Sequence, residues 1–172
     1  MENDNLILIG MPGAGKSCIG VLLAKALGMS FIDSDIAIQE QKHRTLKQLI
    51  DEHGREGFLR IEGEVNAALE PVNCVIATGG SVVFSPEAME HFKGIGTVVY
   101  LAIDCPALAE RLGDLDERGV VHEPGQTIED IYNARAGLYE RYADVTVWQH
   151  EAVIDIPEVI GELTAALGRR GG

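Results

Sequence analysis

The sequence predicts a three-layer α/β domain, in which a five-stranded parallel sheet is covered by helices on both faces. Two observations lead to this prediction. Apolar runs of strand length alternate with helical patterns along the chain, which is typical of parallel sheets. A glycine-rich turn at residues 10–17 joins the first apolar run to the first helical pattern. The length of 172 residues favours one domain that spans residues 1–172.

The glycine-rich turn reads GMPGAGKS and matches the phosphate-binding loop, G-x-x-x-x-G-K-[ST], without a mismatch. Its glycines let backbone N–H groups point at an anion, Lys16 can reach the terminal phosphates, and Ser17 offers a hydroxyl to magnesium. A turn that binds nothing is the alternative, which the flanking strand and helix disfavour. The predicted ATP-binding residues in this region are Gly10, Met11, Pro12, Gly13, Ala14, Gly15, Lys16, Ser17 and Cys18.

The remaining elements follow from hydrophobic periodicity and from helix-capping and helix-breaking residues. Further strands are predicted at residues 29–33, 72–77, 97–102 and 145–148. Further helices are predicted from residue 36, around 46–50 until Gly54, at 56–69, from 85 to the glycines at 94 and 96, at 105–112, at 127–142 and at 156–167. The polar, glycine-bearing stretch at 113–125 lacks periodicity and is predicted to be a mobile loop.

Acidic side chains follow the second predicted strand, in the run Asp33-Ser34-Asp35. Ligands of open parallel sheets bind outside the carboxyl ends of the strands. The two carboxylates are therefore placed for a metal ion or a substrate hydroxyl. Capping of the following helix by Ser34 or Asp35 is the alternative role.

A double glycine, Gly79-Gly80, follows the third predicted strand. Glycine at a strand end permits close approach of the backbone to a ligand. An ordinary tight turn is the alternative at this position.

The charge balance excludes some classes of partner. The net charge is −13, and a surface this acidic repels nucleic acid and anionic membranes. The three cysteines are scattered, which favours reduced thiols in the cytoplasm. The N-terminal residues do not predict a signal peptide, no apolar run predicts a membrane span, and the five histidines lack metal-ligand spacing.

These motifs together favour a small-molecule phosphotransferase. A GTP-dependent switch would carry an N-K-x-D motif, which the sequence lacks, and a mechanical ATPase would need a longer chain. Phosphoryl transfer needs a nucleotide site, an in-line acceptor site and neutralisation of charge on the moving group. The predicted acceptor-binding region spans residues 34–62, and the loop at 113–125 is the predicted lid.

Residues 6–147 resemble the shikimate kinase family. The resemblance lies in GMPGAGKS, in Asp33-Ser34-Asp35, in the spacing of Gly54, Phe58 and Glu62, and in Arg135-Ala136-Gly137-Leu138-Tyr139. It implies a P-loop nucleoside-triphosphate hydrolase-like fold with strand order 2-3-1-4-5.

The resemblance also implies the residues' roles. Asp33 would lie near Mg²⁺ with Ser17, and Asp35 would hold the acceptor hydroxyl and act as its base. Arg111 would pack on adenine, Arg118 would reach over the phosphates from the lid, and Arg135 would bind the substrate carboxylate. The catalytic residues are then Lys16, Asp35 and Arg118, and the substrate-binding residues are Asp35, Phe58, Leu59, Gly79, Gly80, Ser81 and Arg135.

Three positions depart from the family pattern. Leu59 stands where the family has a carboxylate-binding arginine, and Arg60 follows one residue later, about 100° around a helix. Arg60 is predicted either to contact the substrate or to pair with a neighbouring glutamate. Ser81 replaces a third pocket glycine, and the lid reads Arg118-Gly119-Val120-Val121.

We therefore predict an ATP- and Mg²⁺-dependent kinase that phosphorylates shikimate. The first alternative is the same chemistry on another small hydroxy acid or polyol, motivated by Leu59 and Ser81. A nucleotide-binding module without turnover is the second, and a gluconate kinase fits the motifs less well. The expected partners are the two small-molecule substrates, and the expected form is a cytoplasmic monomer.

Overall fold

The computed structural model describes residues 4–115 and 120–168, and it confirms the predicted α/β architecture. The five strands are β1 (Asn5–Ile9), β2 (Ser30–Asp33), β3 (Cys74–Ala77), β4 (Gly96–Ile103) and β5 (Val145–Gln149). The helices are α1 (Lys16–Leu27), α2 (Ser34–Lys42), α3 (Leu46–Ala67), α4 (Pro86–Ile95), α5 (Cys105–Leu112), α6 (Ile128–Tyr142) and α7 (Ile156–Gly168).

The sheet is parallel throughout, and its strand order is β2-β3-β1-β4-β5, as predicted. β1 lies between β3 and β4, with Leu8 paired to Ala77 on one side and to Val99 on the other. Every residue of β1 and β3 is buried, which requires cover on both faces of the sheet. The carboxyl ends of β1, β2 and β3 therefore meet at one edge.

A smaller apolar cluster holds α2 against α3, beside the carboxyl end of β2. It consists of Ile38, Leu49, Phe58 and Val65. α3 is interrupted at Gly54, whose φ of 69° and ψ of 179° are not helical, which confirms the predicted end of a helix at this residue. Even this helix, the longest, is not a membrane span: within residues 4–115 and 120–168 no helix combines the length and apolarity needed to cross a bilayer.

Element ends differ from the prediction where the backbone turns sharply. β3 begins at Cys74 rather than at residue 72, because Asn73 has a φ of 52°, which a strand does not accommodate. The sequence analysis also missed a short 3₁₀ helix, Val82–Phe84, which is too short to show a periodic pattern.

One buried side chain fixes the start of the central strand relative to both neighbours. The Asn5 Nδ2 atom donates to the backbone oxygens of Pro71, at 2.8 Å, and Ile95, at 2.9 Å. Its Oδ1 atom accepts from the Cys74 amide at 3.0 Å. The alignment of β1 with β3 and β4, and hence of their carboxyl ends, depends on this amide.

We expect Asn5→Ala to lower the free energy of unfolding by about 2–4 kcal/mol, because it leaves three backbone groups without their partner. Urea denaturation measures the change. Asn133→Ala is the matched control, since Asn133 is exposed on α6 and should change stability by less than about 0.5 kcal/mol. A near-neutral Asn5→Ala would show that Asn5 does not hold the strands in register.

Candidate active site

A cavity of about 320 Å³ opens at the carboxyl ends of β1, β2 and β3. It brings together residues that lie as far apart in the sequence as Pro12 and Arg135. The sequence-predicted site residues that line it are Pro12, Gly13, Gly15, Lys16, Ser17, Cys18, Asp35, Phe58, Gly79, Gly80, Ser81 and Arg135.

The phosphate-binding loop follows β1 and leads directly into α1. Gly13 and Gly15 have φ angles of 79° and 91°, which side-chain-bearing residues rarely adopt. A Cβ atom on Gly15 would also lie 2.6 Å from the Ile154 side chain. The loop therefore needs glycine at these positions, and it places the positive end of α1 at the cavity.

Lys16 lies inside this loop and is almost fully buried. Its Nζ atom donates to the backbone oxygens of Gly10 and Met11, both at 2.8 Å. Burial lowers the pKa of Lys16 to about 8, although the Asp35 carboxylate opposes that shift. An ammonium has three N–H donors, so one remains for a ligand when two bind the loop.

Asp33 connects the loop to the second strand. Its Oδ2 atom accepts from the Ser17 hydroxyl at 2.7 Å, and its Oδ1 atom accepts from the Asp35 amide at 3.0 Å. Asp33 is thus the N-cap of α2. The alternative that Ser34 or Asp35 caps this helix is wrong, because both lie within its first turn.

Asp35 extends from the first turn of α2 into the cavity. Burial raises the pKa of its carboxyl, the Asp33 carboxylate raises it further, and Lys16 lowers it. A base whose pKa is nearer neutrality accepts a proton more effectively in a transition state.

Gly79 and Gly80 form a wall between the carboxylates and the phosphate loop. A Cβ atom on Gly79 would collide with the Glu62 Oε1 atom and would lie 3.0 Å from Asp35 Oδ1. A Cβ atom on Gly80 would lie 2.6 Å from the Pro12 Cδ atom. Side chains of the cavity therefore approach both glycines closely, and the close approach of their backbone to a ligand stays a prediction.

Ser81 and Glu62 form a pair that sequence reasoning did not identify. The Ser81 hydroxyl donates to the Glu62 Oε2 atom at 2.5 Å, and both residues are buried. Burial raises the pKa of Glu62 to about 7, the Ser81 hydrogen bond opposes the shift, and the Asp35 carboxylate adds to it. The side chain at position 81 therefore binds a wall residue of the cavity.

Arg135 is a buried cation that forms no salt bridge with any carboxylate in residues 4–115 and 120–168. Only 3% of the residue is exposed, and its Nη2 atom donates to the Val121 backbone oxygen at 2.5 Å. Its guanidinium lies over the Phe84 ring, 5.4 Å from the centroid. It forms no salt bridge with Glu129 or Asp130, the acidic residues in the first turn of the same helix.

Arg111 lies behind the phosphate loop rather than in the cavity. It donates to the backbone oxygens of Gly13, Glu151 and Ala152, at 2.8 to 3.0 Å. It thereby ties the loop to the segment after β5, and its contact with adenine stays a prediction. Arg118, the predicted lid arginine, lies outside the described residues.

The two positions that departed from the family pattern on α3 differ in exposure. Leu59 is half-buried and is not one of the described residues that line the cavity. Arg60 is exposed and forms no salt bridge within the described part of the chain. The roles predicted for both residues stay predictions.

The chain is similar to known proteins over most of its length. A family model described as shikimate kinase matches residues 12–166. A shikimate kinase of Pasteurella multocida (strain Pm70) is 35% identical over 150 residues, covering 85% of this chain and 86% of that protein. The chain belongs to the shikimate kinase family. Members of this family are ATP-dependent kinases that phosphorylate a hydroxyl, which confirms the predicted enzyme class.

Solved structures of the shikimate kinase family share the fold. The shikimate kinase of Acinetobacter baumannii in complex with shikimate matches 97% of this chain and 94% of its own, with a TM-score of 0.87 and 26% identity. A gluconokinase of Sinorhizobium meliloti 1021 matches with a TM-score of 0.56 and 23% identity, covering 98% of this chain and 93% of its own. The second likeness concerns the fold alone.

Glu62 offers a test through the pH dependence of stability. Unfolded Glu62 would release its proton near pH 4.5, whereas the folded group holds it to about pH 7. The free energy of unfolding therefore falls as the pH rises through this window, by roughly 3 kcal/mol in total. We expect Glu62→Gln to remove this part of the pH dependence.

Urea denaturation of the wild type and Glu62→Gln at about pH 5 and pH 8 measures this effect. The control is Glu64→Gln, because Glu64 is exposed on the same helix and should leave the wild-type slope unchanged. An unaltered slope in Glu62→Gln would show that the buried carboxyl does not titrate in this window.

Proposed function

We propose that this chain transfers the γ-phosphoryl group of ATP to a hydroxyl of shikimate, giving shikimate 3-phosphate. The observation that supports this best is the buried Arg135, which has no salt bridge among the described residues and lies in the same cavity as Lys16 and Asp35. A buried cation is costly unless it is paired, so the cavity favours an acceptor that carries an acidic group. A neutral polyol would leave Arg135 uncompensated.

Each residue has a role in this proposal. The loop N–H groups and Lys16 bind the phosphates and stabilise charge on the transferring group. Asp35 positions the acceptor hydroxyl and takes its proton as the oxygen bonds to phosphorus and ADP leaves. Arg135 holds the acceptor carboxylate. Arg111 would contact adenine, and Arg118 would reach the phosphates from the lid.

Ser17 and Asp33 suit a magnesium ion bound to the nucleotide. Their hydroxyl and carboxylate oxygens lie 2.7 Å apart, and Mg²⁺ prefers oxygen ligands. Within the described residues, no group of three or more His, Cys, Asp or Glu could hold a metal ion alone, which fits an ion held largely by phosphates and water. The bound ion would neutralise charge on the phosphates.

We propose a cytoplasmic monomer as the working form.

Lys16→Ala should lower kcat by about 10²–10³-fold, because the transferring phosphoryl group loses a charged donor. Steady-state kinetics with shikimate and ATP measure the change. Lys25→Ala is the matched control, since Lys25 is exposed on the same helix and should leave kcat unchanged. Undiminished turnover in Lys16→Ala would remove this residue from the proposed mechanism.

Asp35→Asn should lower kcat by about 10²–10⁴-fold while ATP affinity is retained, because the amide cannot accept the hydroxyl proton. Kinetics and calorimetric titration with ATP separate the two effects, and Asp51→Asn, at an exposed site on α3, is the control. A loss confined to ATP affinity would assign Asp35 to nucleotide binding instead.

The acceptor itself is tested by coupled ATP-consumption assays with shikimate, quinate, gluconate and homoserine. We expect the highest kcat/KM with shikimate. A higher kcat/KM with another member of this panel would replace shikimate as the acceptor while retaining the kinase chemistry.

A further inference from the structure

Two arginines from different helices lie over the same aromatic ring. The Arg135 guanidinium, from α6, is 5.4 Å from the centroid of Phe84, and the Arg55 guanidinium, from α3, is 5.6 Å from it. The Cζ atoms of Arg55 and Arg135 are therefore no farther apart than the sum of their distances from the Phe84 centroid. Phe84 ends the 3₁₀ helix that follows the glycine wall of the active-site cavity.

Arg55 lies next to the active-site cavity, because it lines a neighbouring cavity that shares two residues with it. A second cavity, of about 450 Å³, is lined by Arg55 and shares Val120 and Val121 with the active-site cavity. Arg135 is bonded to the backbone oxygen of Val121. The two guanidinium groups thus share Phe84 as a neighbour, and both lie beside the short stretch of chain that the two cavities have in common.

Arg55 has unused hydrogen-bonding capacity. Its Nε atom is buried and has no partner among the described residues. Its Nη1 atom lies 3.4 Å from the Glu123 Oε1 atom, and the Glu123 side chain is 56% exposed. Solvent screens so exposed a pair, and it contributes little net free energy. A ligand carboxylate could replace Glu123 at small cost.

Other cations on this part of α3 do not compete for the role. Arg60 is exposed, and its position on the helix is five residues from Arg55, which is about 140° around the axis. Position 59 carries a leucine. Arg55, Phe58 and Glu62, by contrast, are spaced by three and four residues and therefore share one face. Phe58 and Glu62 line the active-site cavity.

We propose that Arg55 is a substrate-recognition residue, which completes with Arg135 a two-arginine site for the acceptor carboxylate. A carboxylate has two oxygens and about four acceptor positions, enough for both guanidinium groups. Glu123 pairs with Arg55 before the acceptor binds and is displaced by it. This inference rests on the proposed function, because it assigns a second group to the same acceptor.

The test is steady-state kinetics of Arg55→Leu in the full chain. We expect KM for shikimate to rise about 10- to 100-fold, the effect of losing a charge-assisted hydrogen bond. We expect kcat to stay within about threefold of the wild type, because Arg55 does not touch the reacting hydroxyl. With shikimate methyl ester, which lacks the charge, the difference between wild type and variant should vanish.

Two controls separate recognition from a structural role. Glu123→Gln removes the ion pair but retains Arg55, so it should not raise KM for shikimate. Arg141→Leu removes an exposed arginine of α6 and should leave both constants unchanged. If Arg55→Leu does not fold, Arg55→Lys retains the charge without the planar fork, and should still raise KM.

Three results would overturn the assignment of Arg55. They are an unchanged KM in the Arg55 variants, the same rise in Glu123→Gln, or an equal penalty with the ester. These results all require a wild type that phosphorylates shikimate. A wild type without that activity would instead overturn the proposed function, and this inference with it.

Discussion

The burial of Arg135 without a salt bridge to any described carboxylate is the constraint on which the site depends. Its guanidinium donates to one backbone oxygen, lies over an aromatic ring and interacts with the Tyr139 hydroxyl, and none of these groups carries a compensating charge. Lys16, which is also buried, adds a second cation, while Asp35 and Glu62 have carboxyl pKa values raised by burial. The cavity thus tolerates its cations best when anionic ligands are bound. Phosphates and an acidic acceptor supply that charge.

The sheet makes this cavity by bringing strand ends together. Tyr139, fully buried and stacked on Tyr100 with ring centroids 5.1 Å apart, donates its hydroxyl to the Gly80 backbone oxygen. The helix that carries Arg135 is thereby joined to the glycine wall. Gly80 also packs on Pro12 of the phosphate loop. The acceptor side of the cavity is therefore in direct contact with the nucleotide side.

Local sequence was sufficient for much of the fold and for the phosphate-binding loop. The glycine loop and the capping residues of the helices act through neighbours a few residues away. The Ser17–Asp33 bond joins residues 16 positions apart, the Ser81–Glu62 bond joins residues 19 positions apart, and Arg55 contacts a ring on a different element. Such pairings follow from tertiary packing. The spacing of Arg55, Phe58 and Glu62 was the one feature of the sequence that indicated a shared face of α3 at the cavity.

The central claim is that the cavity transfers phosphate to an acidic acceptor rather than to water. Phosphorus NMR of a mixture of the protein, ATP, magnesium chloride and shikimate tests this claim most directly. The account predicts that a phosphate-ester resonance grows in step with the loss of the γ-phosphate signal. Release of inorganic phosphate in place of the ester, or an unchanged ATP spectrum, would contradict it.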